Sequence, residues 1–264
     1  MVSLSIARWR LTRSPLARQP PCDRYDQRVR ARRPLPAAAV FDWDGTVVDT
    51  IPMIYRANVV ALREVGITLS REWYRERYTP DWRRAYTELG IPERHWDAVG
   101  RRWAEEMARG RPRALPWVRP ALRRLRANGV RVGLVTASTR NVVEHNLPRL
   151  NLSGVFEAIR YSDDVERGKP HPDALLEALS ELGVEPSASV YVGDTTVDLE
   201  MARAAGAAFA AVGRTTKPDV FRAAGVGAVW PGVGDWVDDL LGVRPPRRGW
   251  RSSGDASGAR RRSG

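Results

Sequence analysis

Ala37-Ala38-Ala39-Val40-Phe41-Asp42-Trp43-Asp44-Gly45-Thr46 opens the patterned part of the chain, with five apolar residues, two carboxylates two positions apart, and a Gly-Thr turn. An unbroken apolar run that stops at a turn signal reads as a strand buried on both faces. Alternate side chains on a strand share a face, so Asp42 and Asp44 point the same way. Past the strand's end they can lean over a site instead of repelling one another in a core. Two acids this close are costly without a counter-charge, and a hard cation such as Mg²⁺ would make them tolerable.

Four further runs repeat the pattern. Val130–Val135 ends at Thr136, Ala188–Val192 at Gly193-Asp194, Ala207–Val212 at Gly213, and a weaker run, Phe156–Tyr161, at Ser162-Asp163. Helical patterns lie between them, over 119–128, 141–147, 172–182 and 196–205. The third of these carries Ala174, Leu175, Ala178, Leu179 and Leu182 on one face. Asn128-Gly129 and Leu182-Gly183 are helix stops. Strands alternating with helices predict an α/β fold, a Rossmann-like doubly wound parallel sheet. In such sheets ligands bind beyond the carboxyl ends of the strands. Asp42, Thr136 and Asp194 each follow a predicted strand end, and Lys169 lies in the loop after a fourth, so one rim gathers all four.

Residues 51–118 break the rhythm and read as helices over 52–65, 71–78, 82–89 and 93–109, with Gly66, Pro80, Gly90-Ile91-Pro92 and Gly110-Arg111-Pro112 as the breaks. An all-helical insert directly after the first strand predicts an α-helical cap over the strand ends. Its Trp73, Trp82, Trp96 and Trp103 are expected mostly in the cap's own core, with Trp117 at its exit. The insert holds thirteen Arg against nine acids, and one or two of these facing the cleft would suit an anionic substrate. The division that follows is a core of 37–50 and 119–241, a cap of 51–118, and extensions at 1–36 and 242–264.

The net charge of +12 suggests nucleic acid until it is divided. Residues 1–36 hold nine Arg and two Asp, and 242–264 hold seven Arg and one Asp, which leaves 37–241 at −1. The basicity belongs to the two extensions, which read as disordered segments with weak contact to acidic partners as the alternative. No apolar run reaches the roughly 18 residues of a membrane span, and the N-terminal segment has no continuous apolar region of the kind secretion needs. Cys22 is the single cysteine, which excludes a disulfide framework within one chain and fits a reducing cytoplasm. His95, His145 and His171 show no metal-ligand spacing.

Taken together, these residues resemble the haloacid dehalogenase superfamily, and within it the phosphoglycolate-phosphatase-like phosphatases with an inserted helical cap. Four motifs of that family stand in order: Asp42-Trp43-Asp44-Gly45-Thr46, Thr136 in Leu134-Val135-Thr136-Ala137-Ser138, Lys169 in Gly168-Lys169-Pro170, and Gly193-Asp194-Thr195-Thr196-Val197-Asp198. The resemblance implies that Asp42 attacks phosphorus and becomes an aspartyl-phosphate. Asp44 would protonate the leaving oxygen and then activate water. Asp42, the backbone carbonyl of Asp44, and Asp194 would hold Mg²⁺, with Asp198 supporting that site. Thr136 and Lys169 would hold the transferring phosphoryl oxygens. Lys169 is one of only two lysines among 43 basic residues, which fits a position needing a compact ammonium. Thr46, Asp49, Ala137 and Arg140 are the candidate substrate contacts.

The family hosts several reactions, and residues choose among them. Its dehalogenases lack the second aspartate of the first motif, whereas Asp44 is present here. Its phosphonatases use a cap lysine, and 51–118 contains none. The expected activity is hydrolysis of a small-metabolite phosphomonoester, phosphoglycolate-like or a sugar phosphate, in the cytoplasm. A sugar phosphomutase is the enzymatic alternative, and a nucleic-acid-associated protein acting through its Arg-rich extensions is the alternative from another class. Trp43 stands where the family usually has an aliphatic residue, and it is expected to pack away from the site.

Overall fold

The computed structural model describes residues 34–77, 81–213 and 215–243. The two basic extensions therefore lie outside the described residues, apart from 34–36 and 242–243.

Strands β1 (Ala38–Phe41), β2 (Arg131–Val135), β3 (Ala158–Arg160), β4 (Ser189–Gly193), β5 (Ala208–Val212) and β6 (Val229–Trp230) form one parallel sheet in the order β3-β2-β1-β4-β5-β6. β1 is central and has no exposed residue, as its unbroken apolar run requires. The chain builds outward from β1 to β3, then returns to β4 on the other side of β1. That reversal leaves a crevice between the ends of β1 and β4 where connections depart in opposite directions.

Between β1 and β2 lie α1 (Ile51–Arg63), α2 (Arg71–Arg77), α3 (Trp82–Glu88), a 3-10 turn at Glu93–His95, α4 (Trp96–Ala108) and α5 (Val118–Ala127). They are followed by α6 (Arg140–Asn146), α7 (Asp173–Leu182), α8 (Thr196–Ala205), α9 (Pro218–Ala223) and α10 (Val233–Leu240). Period-2 alternation sends Phe41, Val132, Leu134, Val192 and Val212 toward Leu122 and Leu125 of α5 and Trp236 of α10. Val40, Val135 and Tyr191 face the other way, toward α7 and α8, which makes the sheet doubly wound. Trp43 is buried in the first of these layers, as expected from its alternation with the two aspartates.

The helices of the insert sit where periodicity and breakers place them, except that 93–109 opens as a 3-10 turn before α4. Ala61, Leu62, Tyr74, Tyr86, Ile91 and Val99 form a separate apolar cluster within it. Trp73, Trp96 and Trp103 pack against that cluster, but Trp82 is 45% exposed, lies edge-on to Tyr86 and Trp96, and carries the Arg83 guanidinium on its ring. The insert joins the sheet through two stretches of chain lying side by side. Asp49 N donates to Arg113 O and Leu115 N to Val47 O, both at 2.9 Å. No helix among the described residues is long and apolar enough to cross a membrane.

Candidate active site

Asp42 N still donates to Val192 O at 2.9 Å, so the first aspartate leaves β1 while tied to β4. The chain then turns sharply: Val47 N and Val48 N both donate to Trp43 O, and Gly45 N donates to Val48 O. Gly45 has φ +79°, and a Cβ there would collide with the Asp194 carboxylate. Glycine is required on both counts. The turn brings Thr46 against Asp194, to whose Oδ1 its hydroxyl donates at 3.3 Å.

At the end of β4, Gly193 leaves room for Asp198, which a Cβ would approach to 2.7 Å. Thr195 caps α8 in a reciprocal box: its Oγ1 accepts from Asp198 N, and Asp198 Oδ2 accepts from Thr195 N at 3.0 Å and from Thr195 Oγ1 at 2.6 Å. Asp198 Oδ1 is left for the ammonium of Lys169 at 2.8 Å, and the same ammonium reaches Asp42 Oδ1 at 2.5 Å. Both oxygens of Asp198 are thus committed to protein partners. Carboxylate oxygens of Asp42, Asp194 and Asp198 nonetheless lie within 4.8 Å of one another, all buried.

Asp44 is tied to a different element. Ser138 Oγ donates to its Oδ2 at 2.8 Å, and Ser138 N donates to Thr136 Oγ1 at 2.9 Å, so one serine links the end of β2 to the second aspartate. Thr50 Oγ1 donates to Val48 O at 3.5 Å, and the same hydroxyl lies near enough to Asp44 to favour its charged form. Thr50 occupies the N-cap position of α1 without capping it, its hydroxyl being given to Val48 O.

Burial dominates the electrostatics. It pushes the Asp42 carboxyl up to about 8, against the pull of the Lys169 ammonium and with the charges of Asp198 and Asp44 adding to the rise. Asp44 is raised by burial, opposed by the hydroxyls of Thr50 and Ser138. Asp194 is raised well above the carboxylate range by burial and then by Asp42 and Asp198, against the hydroxyls of Thr215 and Thr46. Burial lowers Lys169, but the charges of Asp198 and Asp42 outweigh it and hold the ammonium well above its ordinary range. Asp42, Asp44, Asp194 and Asp198 outnumber the one ammonium among them, Lys169, which pairs with Asp42 and Asp198. Such a donor set, hard oxygens with excess negative charge, fits a divalent cation.

The structure brings together Asp42, Asp44, Thr136, Lys169, Asp194 and Asp198. The candidate substrate contacts are not gathered in the same way. Thr46 is buried with its hydroxyl on Asp194, and Asp49 and Ala137 are exposed beyond the strand ends. Arg140 lies over the Tyr161 ring with its guanidinium held by Glu144 at 3.3 Å and Asp164 at 2.6 Å. Sequence reasoning missed Ser138, Thr195 and Thr215, the last donating to Asp194 Oδ2. A signal existed for two of them: Ser138 and Thr215 each follow a predicted strand end by a few residues, where the rim rule applies.

A sequence model of the haloacid dehalogenase-like hydrolases matches residues 39–212. Phosphoglycolate phosphatase 1 of Pseudomonas aeruginosa is 31% identical over 189 residues, covering 67% of this chain and 70% of that protein. A phosphorylated carbohydrates phosphatase of Thermotoga maritima is 30% identical over 186 residues, covering 64% and 81%. Hexitol phosphatase B of Escherichia coli K12 is 27% identical over 180 residues, covering 64% and 79%. The crystal structure of a hydrolase from Pseudomonas syringae shares the fold, with a TM-score of 0.70 at 22% identity over 79% of this chain and 100% of that one. Family match, sheet order and rim residues agree: the chain belongs to the haloacid dehalogenase-like hydrolases.

Proposed function

We propose that this hydrolase is a Mg²⁺-dependent phosphatase of small phosphomonoesters, phosphoglycolate-like or sugar phosphates, working through an aspartyl-phosphate on Asp42 in the cytoplasm. The observation that carries the reading is the separation of the two aspartates' partners. Asp42 shares the Lys169 ammonium with Asp198, whereas Asp44 is held by the hydroxyl of Ser138, with the Thr50 hydroxyl nearby. Two carboxylates on one turn thereby take different environments, which is how one is kept as nucleophile and the other as acid/base. The names of the relatives, all phosphatases of small phosphorylated compounds, support the same class.

An Asp42 Oδ attacks phosphorus as the bond from phosphorus to the leaving oxygen breaks, and Asp44 gives that oxygen its proton. Water then attacks the phosphorus, Asp44 takes the water's proton, and the acyl-phosphate P–O bond breaks to restore Asp42. Lys169 and Thr136 hold the phosphoryl oxygens throughout. Asp42, Asp194 and the backbone carbonyl of Asp44 would hold Mg²⁺, which supplies positive charge to the phosphoryl oxygens when bound. Asp198 serves that site from behind, by fixing Lys169 and the start of α8. Residues 51–118 would act as the cap, closing over the rim and selecting the substrate's remainder.

The test is a panel of metabolite phosphates with Mg²⁺, scored for released phosphate in the natural chain and in Asp42→Asn. The variant is expected to fold and to release none. Full turnover in it would overturn the assignment, and conversion of a sugar phosphate to its isomer without phosphate release would favour a mutase.

A further inference from the structure

Tyr191 stands on β4 with no exposed surface, on the sheet face covered by α7 and α8. Its register partner on β1 is Val40, which pairs in turn with Gly133 on β2. The Tyr191 hydroxyl donates to Val135 O at 2.8 Å, on a strand two places away in the sheet, so the phenol lies across β1. Val135 is the last residue of β2, and Thr136 follows it directly. The Tyr191 ring also receives Lys169 Nζ, 5.1 Å from its centroid. An apolar side chain would complete this layer without a hydroxyl, and a buried hydroxyl is costly unless it is bonded. Tyrosine here joins the ammonium to the end of β2.

Resting on the phosphoryl-transfer reading above, we propose that Tyr191 is a positioning residue that fixes Lys169 and Thr136 relative to each other. The ring face attracts the ammonium, and the hydroxyl anchors the carbonyl just before Thr136. Asp42 offers Lys169 a free carboxylate only until its oxygen bonds phosphorus. Asp198 and the Tyr191 ring are the partners that the reaction leaves unchanged, so the ammonium stays in place while Asp42 is phosphorylated. Nothing in this role requires Tyr191 to touch the substrate.

Two variants of the full chain separate the contacts. Tyr191→Phe keeps the ring and removes the hydroxyl, and Tyr191→Met removes both while filling the space. Each is measured for hydrolysis of p-nitrophenyl phosphate with Mg²⁺, for inhibition by inorganic phosphate, and for thermal midpoint, beside Lys169→Met. The expected kcat falls about three-fold in Tyr191→Phe and about thirty-fold in Tyr191→Met, with phosphate inhibition weakened in the same order. A folded Tyr191→Met with natural kcat and phosphate inhibition overturns the inference, even if its thermal midpoint drops. If that variant does not fold, the same result in Tyr191→Phe overturns it. Lys169→Met is expected to be inactive. Its inactivity beside an unaffected Tyr191 series rejects the inference alone, whereas retained turnover in Lys169→Met rejects the phosphoryl-transfer reading and the inference with it.

Discussion

At the sheet rim the decisive contacts span the chain: Thr46 to Asp194 across 148 residues, Lys169 to Asp42 across 127 and Ser138 to Asp44 across 94. In the inserted helices the ion pairs are mostly local. Arg102 meets Glu105 and Glu106 three and four residues on, and Arg84 meets Glu88. The rim pairs are buried and fixed by the sheet, whereas Arg84 is largely exposed and screened by water. The difference teaches where each part's purpose lies. A rim built from distant elements holds reacting groups at set positions, and an insert with its own apolar cluster can vary its surface without disturbing them.

The largest effect should come from Asp194, the most buried acid of the rim. Without a cation, burial and the neighbouring Asp42 and Asp198 disfavour its charged form, so Asp194→Asn should leave the metal-free chain at least as stable thermally. The natural chain's midpoint should rise with added Mg²⁺, since a ligand that binds only the folded state stabilises it. In Asp194→Asn that rise should shrink, with the Mg²⁺ concentration for half-effect increased by about 100-fold or more. An unchanged Mg²⁺ response would place the cation elsewhere and break the comparison at its rim side.

Ser138→Ala comes next. It removes a hydrogen bond to a buried carboxylate and leaves the strand end intact, so kcat should fall about ten-fold with little change in thermal midpoint. A variant with natural kcat would mean that Asp44 does not need the Ser138 hydroxyl. Trp117 gives the smallest effect, at the junction of insert and core. It is 74% exposed and holds φ 64° at the N-cap of α5. A left-handed non-glycine residue costs roughly 1–2 kcal/mol, and glycine's extra unfolded freedom returns about 0.5–1. Trp117→Gly should therefore raise stability by up to about 1.5 kcal/mol, read as a higher urea midpoint. A lower midpoint would show that the indole contributes packing that outweighs its strain.

Much of the fold is legible in the amino-acid sequence alone. Five of the sheet's six strands follow from short, mostly apolar runs; β1 and β5 are unbroken because both their faces are covered, whereas Arg131 interrupts the run of β2, Ser189 that of β4, and Glu157 and Arg160 that of β3. β6 is not legible in this way, because two residues carry no period. The rim acids and Lys169 are legible because they follow strand ends, where the α/β fold puts its sites. Hydroxyl partners are harder. Thr215 and Ser138 look like ordinary loop residues until the fold brings Asp194 and Asp44 to them. Arg140 illustrates the converse: its place after Thr136 suggests a substrate contact, but Asp164, on a neighbouring loop, takes its guanidinium. Tyr191 reads as one more apolar strand residue, and only the sheet order shows that its hydroxyl can reach β2.

The central claim is that Asp42 itself carries the phosphoryl group. The direct measurement is a rapid acid quench during turnover of a phosphomonoester with Mg²⁺, followed by borohydride reduction and peptide mass spectrometry. An aspartyl-phosphate is reduced to homoserine, so the account predicts homoserine at position 42, dependent on substrate and absent from Asp42→Asn. Reduction at a different carboxylate, or turnover with none at Asp42, would contradict it.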